Sequence, residues 1–310
     1  MDNVIYNENK NLLKLRKRDK RRQKMLYLFM LAPFIILFFL FTVLPVISSV
    51  FLSFFDFDAV SSPKFIGLDN YSRMFLEDDI FPKALRNTLV FAVITGPIGF
   101  FLAFMLAWLV NEFGPTTRTL LSFLFYAPAL TGNVYFVWQI LFSGDAYGYI
   151  NSFLISFGLI TDPIQWLKDP KYVLTIIVIV QLWLNLGTTF LANISGIQNV
   201  NPELYEAGAI DGIKNRWHEL WYITLPSMKS ILMFGMVMQI QAAFSVSAVP
   251  MTLAGFPSIN YSAETIVTLL TDVGTTRYEM GYAAAISVVL FILMAATKEF
   301  LAKLINMAGR

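Results

Sequence analysis

Six apolar stretches alternate with polar ones along this chain: Met25–Phe55, Thr88–Val110, Leu120–Phe142, Val173–Ile197, Ile231–Val249 and Gly281–Thr297. Most reach the roughly 20 residues that a helix needs to cross a bilayer. No Asp, Glu, Lys or Arg interrupts the central part of any of them. The pattern predicts an all-α, polytopic membrane protein with six transmembrane helices. A large soluble helical domain is also apolar in patches, but not six times at this length.

The long polar insertion is NPELYEAGAIDGIKNRWHELWYITLP, Asn201 to Pro226, between the fourth and fifth apolar runs. Asn201 can accept a hydrogen bond from free backbone amides, Pro202 suits a first helical position and Glu203 complements the positive helix end, which predicts a short helix here. Asp211-Gly212 signals a turn, and a second helix running to Tyr222 is expected to be limited by Pro226. Ala207, Gly208 and Ala209 leave the first helix with almost no side-chain bulk, a surface suited to close approach by a partner. Gly208 costs that helix roughly 1 kcal/mol relative to alanine.

Of the 310 residues, 56% are hydrophobic and 14% charged, and the net charge of +2 says little until it is divided by loop. With the N-terminus assigned to the cytoplasm, sixteen of the 23 Lys and Arg lie on that side, nine of them in residues 1–25. Acidic residues divide the other way, nine inside and twelve outside. The positive-inside rule therefore sets both termini and the Asn201–Pro226 loop in the cytoplasm. Residues 1–25 read as a basic cytoplasmic segment and 26–310 as a transmembrane domain carrying the loop 201–226. Residues 10–24 are either a plain topology anchor or a short helix on an anionic inner leaflet. Nucleic-acid binding is not expected beside six spans. The first apolar run is too long for the core of a signal peptide. With no cysteine there is no disulfide framework and no thiolate chemistry.

Some chemistry is missing. There is no G-x-x-x-x-G-K-[ST] phosphate loop, so the chain supplies no ATP site of that type. His218-Glu219 opens like H-E-x-x-H, but residue 222 is tyrosine and His218 is the only histidine, which excludes a zinc protease on ligand count. No G-x-S-x-G elbow occurs. The chain reads as non-catalytic, with no metal and no cofactor of its own. The uncharged span centres speak against a proton-driven carrier. An ion-coupled secondary carrier for a polar solute, holding sodium with carbonyls and amides, remains the alternative reading.

Glu206-Ala207-Gly208, then Gly212, then Ile223-Thr224-Leu225-Pro226 resembles the EAA signature of ABC importer permeases, whose pattern is E-A-A, three residues, G, a spacer and I-x-L-P. Gly208 stands where the pattern has its second alanine, and the spacer from Gly212 to Ile223 has about one residue more than usual. Other segments are similar to the carbohydrate-uptake group of that family, related to maltose and glycerol-phosphate permeases. They are FIGLDNY at Phe65–Tyr71, Asn87-Thr88-Leu89, RTLLSFLFYAPAL at Arg118–Leu130, IQWLKDP at Ile164–Pro170 and Gly281-Tyr282-Ala283-Ala284-Ala285.

The resemblance implies a type I ABC importer fold in a bacterial or archaeal plasma membrane. It implies that the loop is a coupling helix seated in a groove of an ATPase, with Glu203, Glu206, Ala207, Gly208, Asp211, Gly212, Leu225 and Pro226 in that role. Implied partners are a second homologous permease, two ATPase subunits holding ATP and Mg, and an extracellular solute-binding protein. The implied cargo is a sugar or oligosaccharide, moved by alternating access.

Trp183, Gly187 and Phe190 are spaced i, i+4 and i+7, one face of the fourth span. Aromatic faces stack on sugars, and the resemblance makes this a substrate-lining face, although the same spacing serves packing. Gln239 falls where the relatives place a substrate-facing polar residue. Asn185 and Asn133 are intramembrane amides that either line a pathway or tie neighbouring helices. Pro250–Met280 is expected as the last outer loop, and Trp166 and Tyr172 suit an interfacial belt.

Overall fold

The computed structural model describes residues 23–132 and 134–308, with side chains placed to residue 303. Most of the basic segment 1–25 and Asn133 lie outside the described residues. Helix α1 (Gln23–Leu52) is followed by a two-stranded antiparallel ribbon, β1 (Phe55–Asp56) with β2 (Lys64–Phe65), and a short helix α2 (Asp69–Leu76). The long α3 (Ile80–Asn111) starts where Asp78 Oδ1 accepts the N–H groups of Ile80 and Phe81, at 2.7 and 3.1 Å. This satisfies donors that a helix start leaves free.

Next come α4 (Pro115–Leu130), α5 (Phe136–Leu141), α6 (Tyr149–Ser156) and α7 (Val173–Gln198). Five helices among the described residues are long and apolar enough to cross a membrane; the third predicted span is not one of them. At 1.5 Å per residue α4 rises only about 24 Å, short of the roughly 30 Å hydrocarbon core. Thr131 is extended (φ −98°, ψ 104°) before α5 resumes. Pro128 has no N–H to give the Leu124 carbonyl four residues back, and Gly132 favours no helix, so the segment is a broken helix. Gln139 Nε2 ties α5 to the rest by donating to the Thr252 carbonyl at 2.6 Å.

The polar loop contributes α8 (Pro202–Ile210) and α9, which begins as Arg216–Glu219, widens into a π turn at Leu220–Thr224 and ends as Leu225–Ser227. A matching π turn lies within α1 at Phe39–Val43. In both cases a proline, Pro45 or Pro226, stands two residues beyond the wide turn. The wider turn accommodates the proline ring, which otherwise clashes with the carbonyl four residues back.

Helix α10 (Lys229–Phe244) breaks at Ser245–Ser247 and continues as α11 (Ala248–Ala254). Thr265 Oγ1 donates to the Val246 carbonyl at 2.7 Å, filling an acceptor that the break would leave bare away from water. The expected outer loop Pro250–Met280 is largely folded, with part of it packed into the bundle. It holds α12 (Ile266–Thr271), started by a capping box between Thr265 and Thr268, with Ile266 and Leu269 packed between α3 and the last helix, α13 (Met280–Ala308). Asn87 Nδ2 donates to the carbonyls of Ser262 and Glu264, and Thr88 Oγ1 accepts the Ile266 N–H at 2.8 Å, locking this segment to α3.

Helices α3 and α7 form the centre of the bundle. Ala103, Phe104, Ala107 and Val110 of α3 pack with Phe190, Ile194 and Ile197 of α7 and with Leu220, Ile223 and Met228 from the polar loop. The base of that loop is thus part of the core.

Candidate coupling site

The loop folds as its sequence dictates. Asn201 Oδ1 accepts the Glu203 N–H at 3.1 Å and Pro202 opens α8. At its far end the Gly212 N–H donates to the Ala209 carbonyl at 3.3 Å and the Ile213 N–H to the Gly208 carbonyl at 2.9 Å. These are the two bonds of a Schellman stop, which needs a left-handed residue; Gly212 supplies it at φ 91°.

Gly208 is the one buried residue of α8. A Cβ there would lie 2.6 Å from Ile223 Cδ1 and 3.3 Å from Ile213 Cδ1. Glycine in place of the expected alanine therefore lets Ile223 sit directly on the helix. The extra spacer residue has a place too, because a π turn takes one more residue than the α-helical turn it replaces. Its wide turn at Leu220–Thr224 keeps Leu220, Ile223 and Thr224 buried. The second helix consequently passes Tyr222 and contains Pro226, contrary to the sequence expectation that Pro226 would limit it.

Further contacts hold the two halves together. The hydroxyls of Tyr205 and Thr224 lie 2.9 Å apart. Arg216 pairs with Glu219 at 2.8 Å and with Glu112, just beyond α3, at 3.1 Å. The hydrogen-bonded Glu219 carboxylate, with Glu112 beside it, raises the Arg216 guanidinium above its ordinary value. The Trp108 and Trp217 rings stand 5.1 Å apart. Exposed pairs of this kind contribute little, at most about 1 kcal/mol, so the buried Leu220, Ile223 and Met228 hold the loop down. Sequence reasoning named neither the Glu112–Arg216 pair nor the two tryptophans. Trp108 stands near the end of an apolar run, whereas Trp217 lies inside the polar insertion and carries no such signal.

What the loop leaves open is equally defined. Glu203, Glu206, Ala207, Asp211, Gly212 and Pro226 are exposed and Leu225 is half-buried. Ile210, at the end of α8, is 87% exposed. Among the described residues Glu206 has no ion pair or hydrogen bond.

The expected pathway residues divide differently. Phe190 is fully buried with its ring 5.6 Å from Phe125, and a Cβ on Gly187 would come within 2.6 Å of Ala129 Cβ. Both pack between α4 and α7, the role that the same spacing also serves. Gln239 is buried, accepting from Thr189 Oγ1 at 3.1 Å and donating to the Thr95 carbonyl at 3.2 Å. It ties α3, α7 and α10 together. Trp183, edge-on to Trp138 at 5.5 Å, and Asn185, accepting from Gln181 at 2.8 Å, remain half-buried.

A bundle of spans with uncharged centres, and one polar helical pair whose base is packed into the core and whose tip is bare, fits a membrane permease subunit. Residues 96–305 match the family described as binding-protein-dependent transport system inner membrane component, and the chain belongs to it. It is 30% identical to the arabinooligosaccharides transport system permease protein AraP of Bacillus subtilis strain 168, over 86% of this chain and 84% of that one. It is also 30% identical to the sulfoquinovosyl glycerol transport system permease protein SmoG of Agrobacterium fabrum strain C58, over 90% of each. Among solved structures, a bacterial ABC transporter involved in the import of the acidic polysaccharide alginate matches with a TM-score of 0.76 and 25% identity, over 93% of this chain and 96% of that one. These findings favour an ABC importer permease over an ion-coupled secondary carrier.

Proposed function

We propose that this chain forms, with a second homologous permease, the translocation path of an ATP-driven importer for a sugar or oligosaccharide delivered by an extracellular binding protein. The observation that carries the reading is α8, a helix capped at both ends, bare on its tip and seated on the bundle core through Gly208 and Ile223. A helix built this way passes a push from outside into α3 and α7 as a rigid body. Two ATPase subunits, holding ATP and Mg, supply that push against Glu203, Glu206, Ala207, Ile210 and Asp211 from the cytoplasm, where both termini also lie. The names of the relatives support a carbohydrate cargo. Trp183 and Asn185, half-buried, are the first candidates to line its path, with Gly187, Phe190, Gln239 and Asn133 kept as further candidates.

Mass-spectrometric identification of the proteins that copurify from the native membrane tests this. A second permease, an ATPase and a binding protein carrying a carbohydrate are expected. A binding protein loaded with a non-carbohydrate solute would remove the cargo assignment, and absence of any ATPase would remove the mechanism.

A further inference from the structure

One face of α9 has no role in the contacts above. Trp221 is 65% and Tyr222 72% exposed, although Leu220 before them and Ile223 after them are buried. The wide turn thus sets two successive rings on the outside of the protein.

Both ends of α9 lie at one level of the bundle. At its start, Arg216 reaches Glu112 at the end of α3, and Trp217 meets Trp108 one turn inside that end. At its finish, Met228 alone separates Ser227 from α10. Helix α3 and the run Lys229–Ala254, which α10 opens, are both long and apolar enough to cross a membrane. A helix fixed between the ends of two spans runs along the bilayer boundary.

Chemistry favours the same placement. Trp and Tyr rings concentrate at the headgroup level, and cations near it are drawn to anionic phosphates. Lys214 and Lys229 flank α9, are exposed, and make no ion pair among the described residues. On α10, Phe234 is also 58% exposed.

We infer that α9 lies in the headgroup layer of the adjoining leaflet, with the rings of Trp221 and Tyr222 inserted beside the lipid and Lys214 and Lys229 on anionic headgroups. The second half of the loop then rides on the membrane, while α8 alone faces the ATPase. The placement of α9 rests on the spans; only the role left to α8 rests on the coupling reading.

The chain has no cysteine, so single labels are free of background. Trp221→Cys, Tyr222→Cys and, as a reference, Ile210→Cys are each labelled with bimane. The full chain is then placed in nanodiscs of phosphatidylcholine and phosphatidylglycerol in equal parts. Before any ATPase is added, labels at 221 and 222 are expected to be at least about fivefold less accessible to aqueous iodide than the label at 210, and to be quenched by brominated lipid. Emission lost on Trp221→Phe, measured without any label, is expected to show the same shielding. If positions 221 and 222 are open to iodide in the nanodisc and become shielded only when ATPase subunits are added, the face is a protein-docking surface and the inference is overturned. Loss of the coupling role of α8 with shielding at 221 intact would count against the coupling reading alone.

Discussion

Ile210→Asp and Glu206→Lys are each expected to reduce ATP-driven uptake in proteoliposomes by about thirtyfold, the equivalent of roughly 2 kcal/mol at a central interface residue. Neither change is expected to unfold the chain. Ile210 is 87% exposed and Glu206 makes no contact that a substitution could break, so the folded permease loses nothing when either is replaced. A large exposed isoleucine at the end of a capped helix fits a partner's pocket, and a carboxylate there fits a cation on its wall. Thermal unfolding of each variant should match the parent within about 0.5 kcal/mol, the usual range for surface changes. Full-rate transport by both variants would place the contact elsewhere on the loop.

Gly281→Ala is expected to act in the opposite way, through the fold. A Cβ on Gly281 would lie 2.0 Å from the Phe55 carbonyl oxygen, and the Gly281 N–H donates to the Phe57 carbonyl at 3.0 Å. The obstacle is backbone on both sides, so no side chain can swing away. Relief requires the ribbon after α1 to separate from α13, and overpacking of this kind costs about 1–3 kcal/mol or more. The expected result is a lowered unfolding temperature in detergent together with reduced insertion. Gly208→Ala gives the contrast, since its Cβ meets only the mobile Cδ1 atoms of Ile223 and Ile213. A stability of Gly281→Ala equal to the parent would mean that the contact at residues 55–57 is loose.

Some of this was legible in the sequence and some was not. The spans could be read because lipid demands uninterrupted apolar length, and α8 because Asn201, Pro202 and Gly212 each answer a local backbone requirement. Local rules failed where a tertiary partner decides. The burial of Ile266 and Leu269 depends on neighbours that no window along the chain contains. Phe190 and Gly187 share a face at helical spacing, but only the structure shows that this face meets Phe125 and Ala129 of α4. Gln239 stood out in the sequence as a polar residue facing a pathway, and its hydrogen-bond partners, Thr95 and Thr189, come from two other helices that no local window joins to it. The extra residue before Ile223 was visible as a count, and the π turn that takes it up was not.

The central claim, that α8 seats on an ATPase, is tested most directly by cross-linking. The cysteine-free chain carrying Ile210→Cys is treated, in its native assembly, with a short thiol-to-amine cross-linker. The expected product joins this chain to the ATPase subunit, and its yield changes with ATP, while cysteine at position 222 gives none. Cross-links from position 210 only to lipid or to another permease, with no ATPase product in either nucleotide state, would contradict it.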